Sequence, residues 1–245
     1  LTYLLRPLGD KAIQILFTST ISEKLNRHIQ HIANTIKSKK IVGIIEVVPA
    51  FETLTVYYEP IKISHSALEE RLHGICSASS TKESILKKEI VSIPVCYGNQ
   101  FGEDLSHVAK HNNLSDQEVI SLHCSKEYLV YMIGFLPGFP YLKGLPQKLH
   151  TPRLAEPRLK VPKGAVGIGG DQTGVYPIES PGGWNLIGQT PLTLFNPDSP
   201  NPFLIKAGDF IRFLSISESE FNEITFAIKE NNYVVKREVI QNEED

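Results

Sequence analysis

The sequence predicts an α+β chain of two unlike domains. The first is a small N-terminal α/β domain of split βαβ order, and the second is built from many short strands as a barrel or a sandwich. Strand and helix periodicities alternate through residues 12–76, as in a small α/β sandwich. Glycine and proline crowd downstream: residues 134–202 hold 11 of the 17 glycines and 12 of the 16 prolines, and residues 1–90 only three of each. Short β-prone runs between Gly/Pro corners are the pattern of a closed or sandwiched β-fold. The Ser/Thr/Lys stretch Ser77–Lys88 reads as a linker, which places the domains at 1–88 and 89–245.

In the first domain Ala12–Phe17 is an apolar run of strand length. Over Ser22–Lys37 the apolar residues Leu25, Ile29, Ile32, Ala33 and Ile36 recur at helical spacing, with Ser22 placed to cap. Ile41–Val48 is β-branched and reads as a strand that Pro49 breaks, and Thr53–Tyr58 as a second strand beside it. Ser64–Cys76 is a second helix whose Ala67, Leu68, Leu72 and Ile75 face inward.

The second domain opens on a strand, Glu89–Val95. DLSHVAKHN and SDQEVISLHC are two short helices, the latter opened by Ser115 with Glu118 three residues on, a capping box. Strands are expected at Tyr128–Gly134, Arg158–Val161, Ala165–Ile168, Gly174–Tyr176, Trp184–Ile187, Leu192–Phe195, Phe203–Lys206 and Phe210–Leu214. Glu218–Glu230 is a last helix, Val234–Ile240 a last strand, and the acidic NEED end a loose tail.

Composition excludes several function classes. A net charge of -2 argues against nucleic acid or an anionic membrane as partner. No apolar run approaches a membrane span, and LTYLLRPLGDKA lacks the core of a signal peptide, so the expected location is cytoplasmic. The cysteines, at 76, 96 and 124, form no CxxC pair and read as free thiols. His107 and His111 sit four apart, but Val108 stands where a zinc protease needs Glu, so no metal site is expected. GAVGIGGDQTG has neither the order of a phosphate loop nor a helix behind it, and reads as tight turns in the β-fold.

Three stretches remain as candidate chemistry. Lys143, Lys148, Arg153, Arg158, Lys160 and Lys163 fall within 21 positions, with Glu156 the only acid among them. In PRLAEPR each arginine follows a proline, which stiffens the backbone that carries its planar anion-binding fork. Arg153 and Arg158 therefore either hold an anion, or are surface residues or pair with acids inside the fold. GFLPGFPYLKGLP, residues 134–146, sets Phe135, Phe139 and Tyr141 among three glycines and three prolines, and SPGGWNLIG presents Trp184, the only tryptophan, behind two glycines. Rigidly mounted rings of this kind form either an apolar pocket or docking surface, or a plug in the barrel core.

The chain resembles the Kip-inhibitor or allophanate hydrolase subunit 1 family along nearly its whole length. RPLGDKAIQILF and VVPAFETLTVYYEP carry the likeness in the first domain. IPVCYGNQFGEDL, LHCSKEYLVYMIGFLPGFPYLKGLP, PRLAEPRLKVPKGAVGIGG, QTGVYPIESPGGWNLIGQTP and KAGDFIRF carry it in the second. The resemblance implies an N-terminal α/β domain followed by a cyclophilin-like β-barrel. It also implies one of two functions. In the first, the chain is the B-type component of an ATP-using 5-oxoprolinase that works with C-type and A-type subunits to open 5-oxoproline to L-glutamate; paired relatives form the carboxyltransferase part of urea carboxylase. In the second, it inhibits autophosphorylation of a sporulation histidine kinase. For the enzyme, ATP is shared with the partners, Arg153 and Arg158 steady phosphoryl charge, and Phe135, Phe139, Tyr141 and Trp184 hold the ring. Gln172 and Tyr176 offer hydrogen bonds to the amide. Lys163 and Ala165 stand where the family more usually has alanine and serine, so Lys163 adds a charge beside the proposed anion site.

Overall fold

The computed structural model describes residues 2–79 and 88–240. The chain divides into two compact units, Leu1–Leu86 and Lys87–Asp245. The expected linker Ser77–Lys88 lies for the most part outside the described residues, and the NEED tail does so entirely.

The first unit runs β1 (Tyr3–Pro7), β2 (Ala12–Phe17), α1 (Glu23–Ser38), β3 (Ile44–Pro49), β4 (Thr53–Tyr58) and α2 (His65–Ala78). Its sheet has the order β1-β2-β4-β3 and every neighbour is antiparallel. The split βαβ is β2-α1-β3 with β4 inserted between its two strands. The sheet edge beside β2 is filled by β1, a hairpin partner that the sequence reading missed. Ser22 caps α1 by accepting from the Leu25 N–H at 3.2 Å, and Ser64 caps α2 from Ala67 at 3.3 Å. Ile13, Ile15, Phe17, Leu54 and Val56 meet Leu25, Ile29, Ile32, Leu68 and Leu72 in one closed core.

The second unit is a closed barrel of seven strands. Around it run β5 (Lys88–Tyr97), β13 (Phe210–Ile216), β6 (Glu127–Ile133), β7 (Pro140–Lys143), β10 (Gln172–Val175), β9 (Ala165–Gly169) and β12 (Asn185–Gln189), which returns to β5. β14 (Arg237–Ile240) lies on the first half of β5, and β8 (Arg158–Val161) pairs with β11 (Ser180–Gly182) as a separate ribbon. The helices are α3 (Leu105–His111), α4 (Asp116–Cys124) and α5 (Glu218–Lys229), and the Ser115–Glu118 capping box is formed at α4. Pro94, in mid-strand, sits where its missing N–H costs nothing. Ser92, two residues earlier on the same edge, donates to Lys236 O, and Cys96, two later, pairs with β12. Pro94 falls in the break between those two partners.

Two expected strands, Leu192–Phe195 and Phe203–Lys206, are absent; only a single bridge joins Phe195 and Phe203. Prolines at 191, 197, 200 and 202 deny that segment a continuous ladder. Its apolar residues serve the core instead: Leu192, Leu194 and Ile205 are buried with Val91, Val166 and Phe213.

Inside the barrel one polar chain crosses the apolar core. The Thr173 hydroxyl donates to Gly167 O at 3.0 Å, so it accepts from His123 Nε2 at 2.9 Å. His123 Nδ1 then accepts from the Tyr97 hydroxyl at 2.7 Å. The imidazole stacks on Phe213 and is fully buried, which pushes its pKa down to about 3 and keeps it neutral.

Candidate functional site

The rings picked out in the sequence do not plug the barrel. Phe139, Tyr176 and Trp184 gather with Val161, Ala165 and Leu186 in a second apolar cluster, separate from the core that holds Val166, Ile168, Val175 and Ile187. Strand alternation assigns the sides. Val166 and Ile168 point into the barrel, while Ala165, Gly167 and Gly169 line its outer face.

The outer face is paved with glycine so that Trp184 can lie on it. A Cβ added at Gly169 would stand 2.3 Å from Trp184 Cδ1, at Gly174 3.0 Å from Cζ3, and at Gly167 3.1 Å from Cβ. GAVGIGGDQTG is therefore a hairpin with one face left bare; Gly170, with φ of +68°, serves the hairpin turn, and Gly164, with φ of +81°, the turn that leads into β9. Phe139 stands edge-on to Trp184, Tyr176 and Tyr141, with ring centroids 5.6, 5.3 and 5.3 Å away, and so acts as the hub. Burial raises the Tyr176 phenol above its usual range, against the opposing pull of the Trp184 backbone N–H and of Arg153 and Arg158. It stays a neutral hydroxyl.

Phe135 differs from the other rings. Its φ of 63° and the bond from Leu136 N–H to Gly134 O at 2.7 Å make it the centre of a γ-turn, a strained conformation for a bulky residue. The side chain is 66% exposed at the loop tip, and its ring meets the cluster at Phe139, with centroids 5.7 Å apart.

The two arginines have separate fates. Arg158 is committed: its Nε reaches Glu103 and its Nη2 Asp104, each at 2.8 Å. The other oxygen of Asp104 accepts the Leu186 N–H at 2.6 Å, so this pair ties β8 to β12. Arg153 forms no ion pair or hydrogen bond among the described residues; its guanidinium lies 5.9 Å from the Trp184 ring. Its backbone is fixed from both sides. Thr151 and Gly170 exchange both bonds, the Asn185 amide donates to Pro152 O at 2.8 Å, and Leu154 N–H donates to Gly183 O at 2.7 Å. Lys163 is turned to Thr193, donating to its hydroxyl at 3.0 Å. Gln172 is half-buried on the outward face of β10, opposite Gly169. The site thus has a buried body of Phe139, Tyr176 and Trp184 and an accessible rim of Arg153, Phe135, Tyr141 and Gln172.

Sequence reasoning missed Asp104, Glu103 and Asn185, which lie far along the chain from the arginines. It also missed the glycine floor, whose signal was present: Gly167 and Gly169 alternate within one strand.

Comparison with known proteins agrees with this architecture. Residues 3–205 match the model of the carboxyltransferase domain, subdomain C and D. The chain belongs to that family. It is 44% identical over 234 residues to the B component of the 5-oxoprolinase of Bacillus subtilis (strain 168), covering 90% of this chain and 95% of the relative. The crystal structure of TTHA0988 superposes with a TM-score of 0.75 at 36% identity, over 87% of this chain but only 40% of that one. The Kluyveromyces lactis urea carboxylase shares the fold, with a TM-score of 0.77 at 19% identity over 97% of this chain and 24% of that one. No helix among the described residues is long and apolar enough to cross a membrane.

Proposed function

We propose that this chain is the B-type component of a cytoplasmic, ATP-dependent 5-oxoprolinase that acts together with A-type and C-type subunits. Its likeness over nearly full length to proteins named as the B component of 5-oxoprolinase supports the reading. The observation that carries it is the uncommitted Arg153 guanidinium, held on a fixed backbone over Trp184 at the rim of an aromatic cluster. A lactam is inert until its carbonyl oxygen can leave, and ATP supplies the phosphoryl group that makes it a leaving group. This chain contributes the surroundings. Arg153 holds negative charge at low entropic cost because its segment is already ordered. Tyr141 and Gln172 stand at the rim as hydrogen-bonding groups for the amide. Phe139, Tyr176 and Trp184 keep the rim in place, and Arg158, neutralised by Glu103 and Asp104, positions the ribbon rather than touching substrate. The rest of the site comes from the partner chains.

The test is release of ADP and L-glutamate from 5-oxoproline and ATP by this chain alone, with its C-type partner, and with both partners. Turnover that appears only on mixing and requires this chain supports the reading. Its absence, with all three chains folded and bound to one another, refutes it in favour of a regulatory protein.

A further inference from the structure

Resting on that reading, we infer that Arg153 takes the single carboxylate of the lactam, and that the nucleotide phosphates are held elsewhere in the complex. The argument is one of charge. The segment from Pro152 to Lys163 carries four cations, Arg153, Arg158, Lys160 and Lys163, and four acids stand on it or against it: Glu156 within it, Glu103 and Asp104 on Arg158, and Glu179 on Lys160. Arg158 is paired twice, Lys160 reaches Glu179 at 3.4 Å, and the Lys163 ammonium is turned to Thr193. That segment and its partners carry no net charge, whereas a polyphosphate needs several converging cations or a metal.

What remains is one free guanidinium. It is a planar fork with two parallel donors, the complement of one carboxylate. It lies over the Trp184 ring, and through Phe139 that ring continues to the half-exposed Tyr141 and the exposed Phe135, an aromatic surface that suits a small, flat, uncharged ring better than a triphosphate. 5-Oxoproline is such a molecule: a five-membered lactam carrying one carboxylate. The carboxylate is untouched by ring opening, so the L-glutamate product presents the same group to Arg153 and should compete for the site.

The inference is tested on the reconstituted complex with Arg153→Ala and Arg153→Lys. Arg153 is exposed, so neither change threatens folding. For Arg153→Ala the KM for 5-oxoproline should rise about ten- to a hundredfold, the size of one lost charged hydrogen-bond pair, with the KM for ATP unchanged. Arg153→Lys should recover part of the loss, since it keeps the charge but not the fork. Competitive inhibition by L-glutamate should weaken in parallel. A rise in the KM for ATP with that for 5-oxoproline unchanged overturns the inference and makes Arg153 a phosphate ligand.

Should the wild-type complex turn over no lactam, the proposed function fails while the site can still be read. Trp184 is the only tryptophan, so its emission in the isolated chain reports on this rim alone. A saturable change with 5-oxoproline, absent with 2-pyrrolidinone and lost in Arg153→Ala, upholds a carboxylate site. A response to ATP or inorganic phosphate but not to 5-oxoproline, or to none of them, overturns it.

Discussion

Replacing Gly169 with alanine tests whether the glycine floor builds the site. The new methyl would lie 2.3 Å from Trp184 Cδ1 and 2.4 Å from Nε1, well inside van der Waals contact. The indole has nowhere to slide. Phe139 and Tyr176 flank it, with centroids 5.6 and 6.3 Å away, and it is only 5% exposed. Relief must come from lifting the ring or bending β9, an overpacking cost of about 1–3 kcal/mol. In a unit of this size each kcal/mol lowers Tm by about 2–4 °C, so the loss should be roughly 2–12 °C. Gly167→Ala, whose Cβ would be 3.1 Å from Trp184 Cβ, should cost less. Thermal unfolding followed by circular dichroism measures the cost, and Trp184 emission should shift to the red as the ring is pushed toward solvent. If Gly169→Ala keeps the wild-type Tm and emission, Trp184 does not rest on this floor and the account of the cluster is wrong.

Three further outcomes are expected. His123 is held neutral with a pKa of about 3, while an unfolded histidine titrates near 6.5; below pH 6.5 the unfolded state binds a proton the native state refuses. Stability should therefore fall with decreasing pH from about 6.5 toward 3, by about 1.4 kcal/mol per pH unit for this one group, and urea melts of the wild type and of His123→Phe would show whether the variant lacks that slope. Asp104→Ala leaves Arg158 with exposed Glu103 as its one carboxylate among the described residues and orphans the Leu186 N–H, a loss of about 2–3 kcal/mol read as a lower urea midpoint, and Asp104→Leu combined with Arg158→Met should recover part of it. Gly74 lies within α2 with nothing within 4 Å of an added Cβ, so Gly74→Ala should stabilise by about 0.5–1 kcal/mol, visible as a higher midpoint.

What the sequence made legible was local. Ser22 and the Ser115–Glu118 box announced helix starts because a cap is a bond between residues three apart, and both are formed as read; Ser64, read only as the start of its helix, caps it in the same way. The failures were those in which an apolar run answers to something distant. Leu192, Leu194 and Ile205 look like strand residues, yet they are apolar because they close the barrel core, and the surrounding prolines forbid the ladder their spacing suggests. The site divides in the same way. The stiffness of the PRLAEPR backbone follows from its prolines, and the hydrogen bonds to Thr151, Pro152 and Leu154 complete it at Arg153. That Arg158 is neutralised could not be read from PRLAEPR, because Asp104 stands 54 residues away and meets it only once the chain has folded. Two arginines that are equivalent in sequence thus become one clamp and one free fork. The difference between them is made by the fold, and it is the reason a single carboxylate, rather than a chain of phosphates, matches what the rim leaves unpaired.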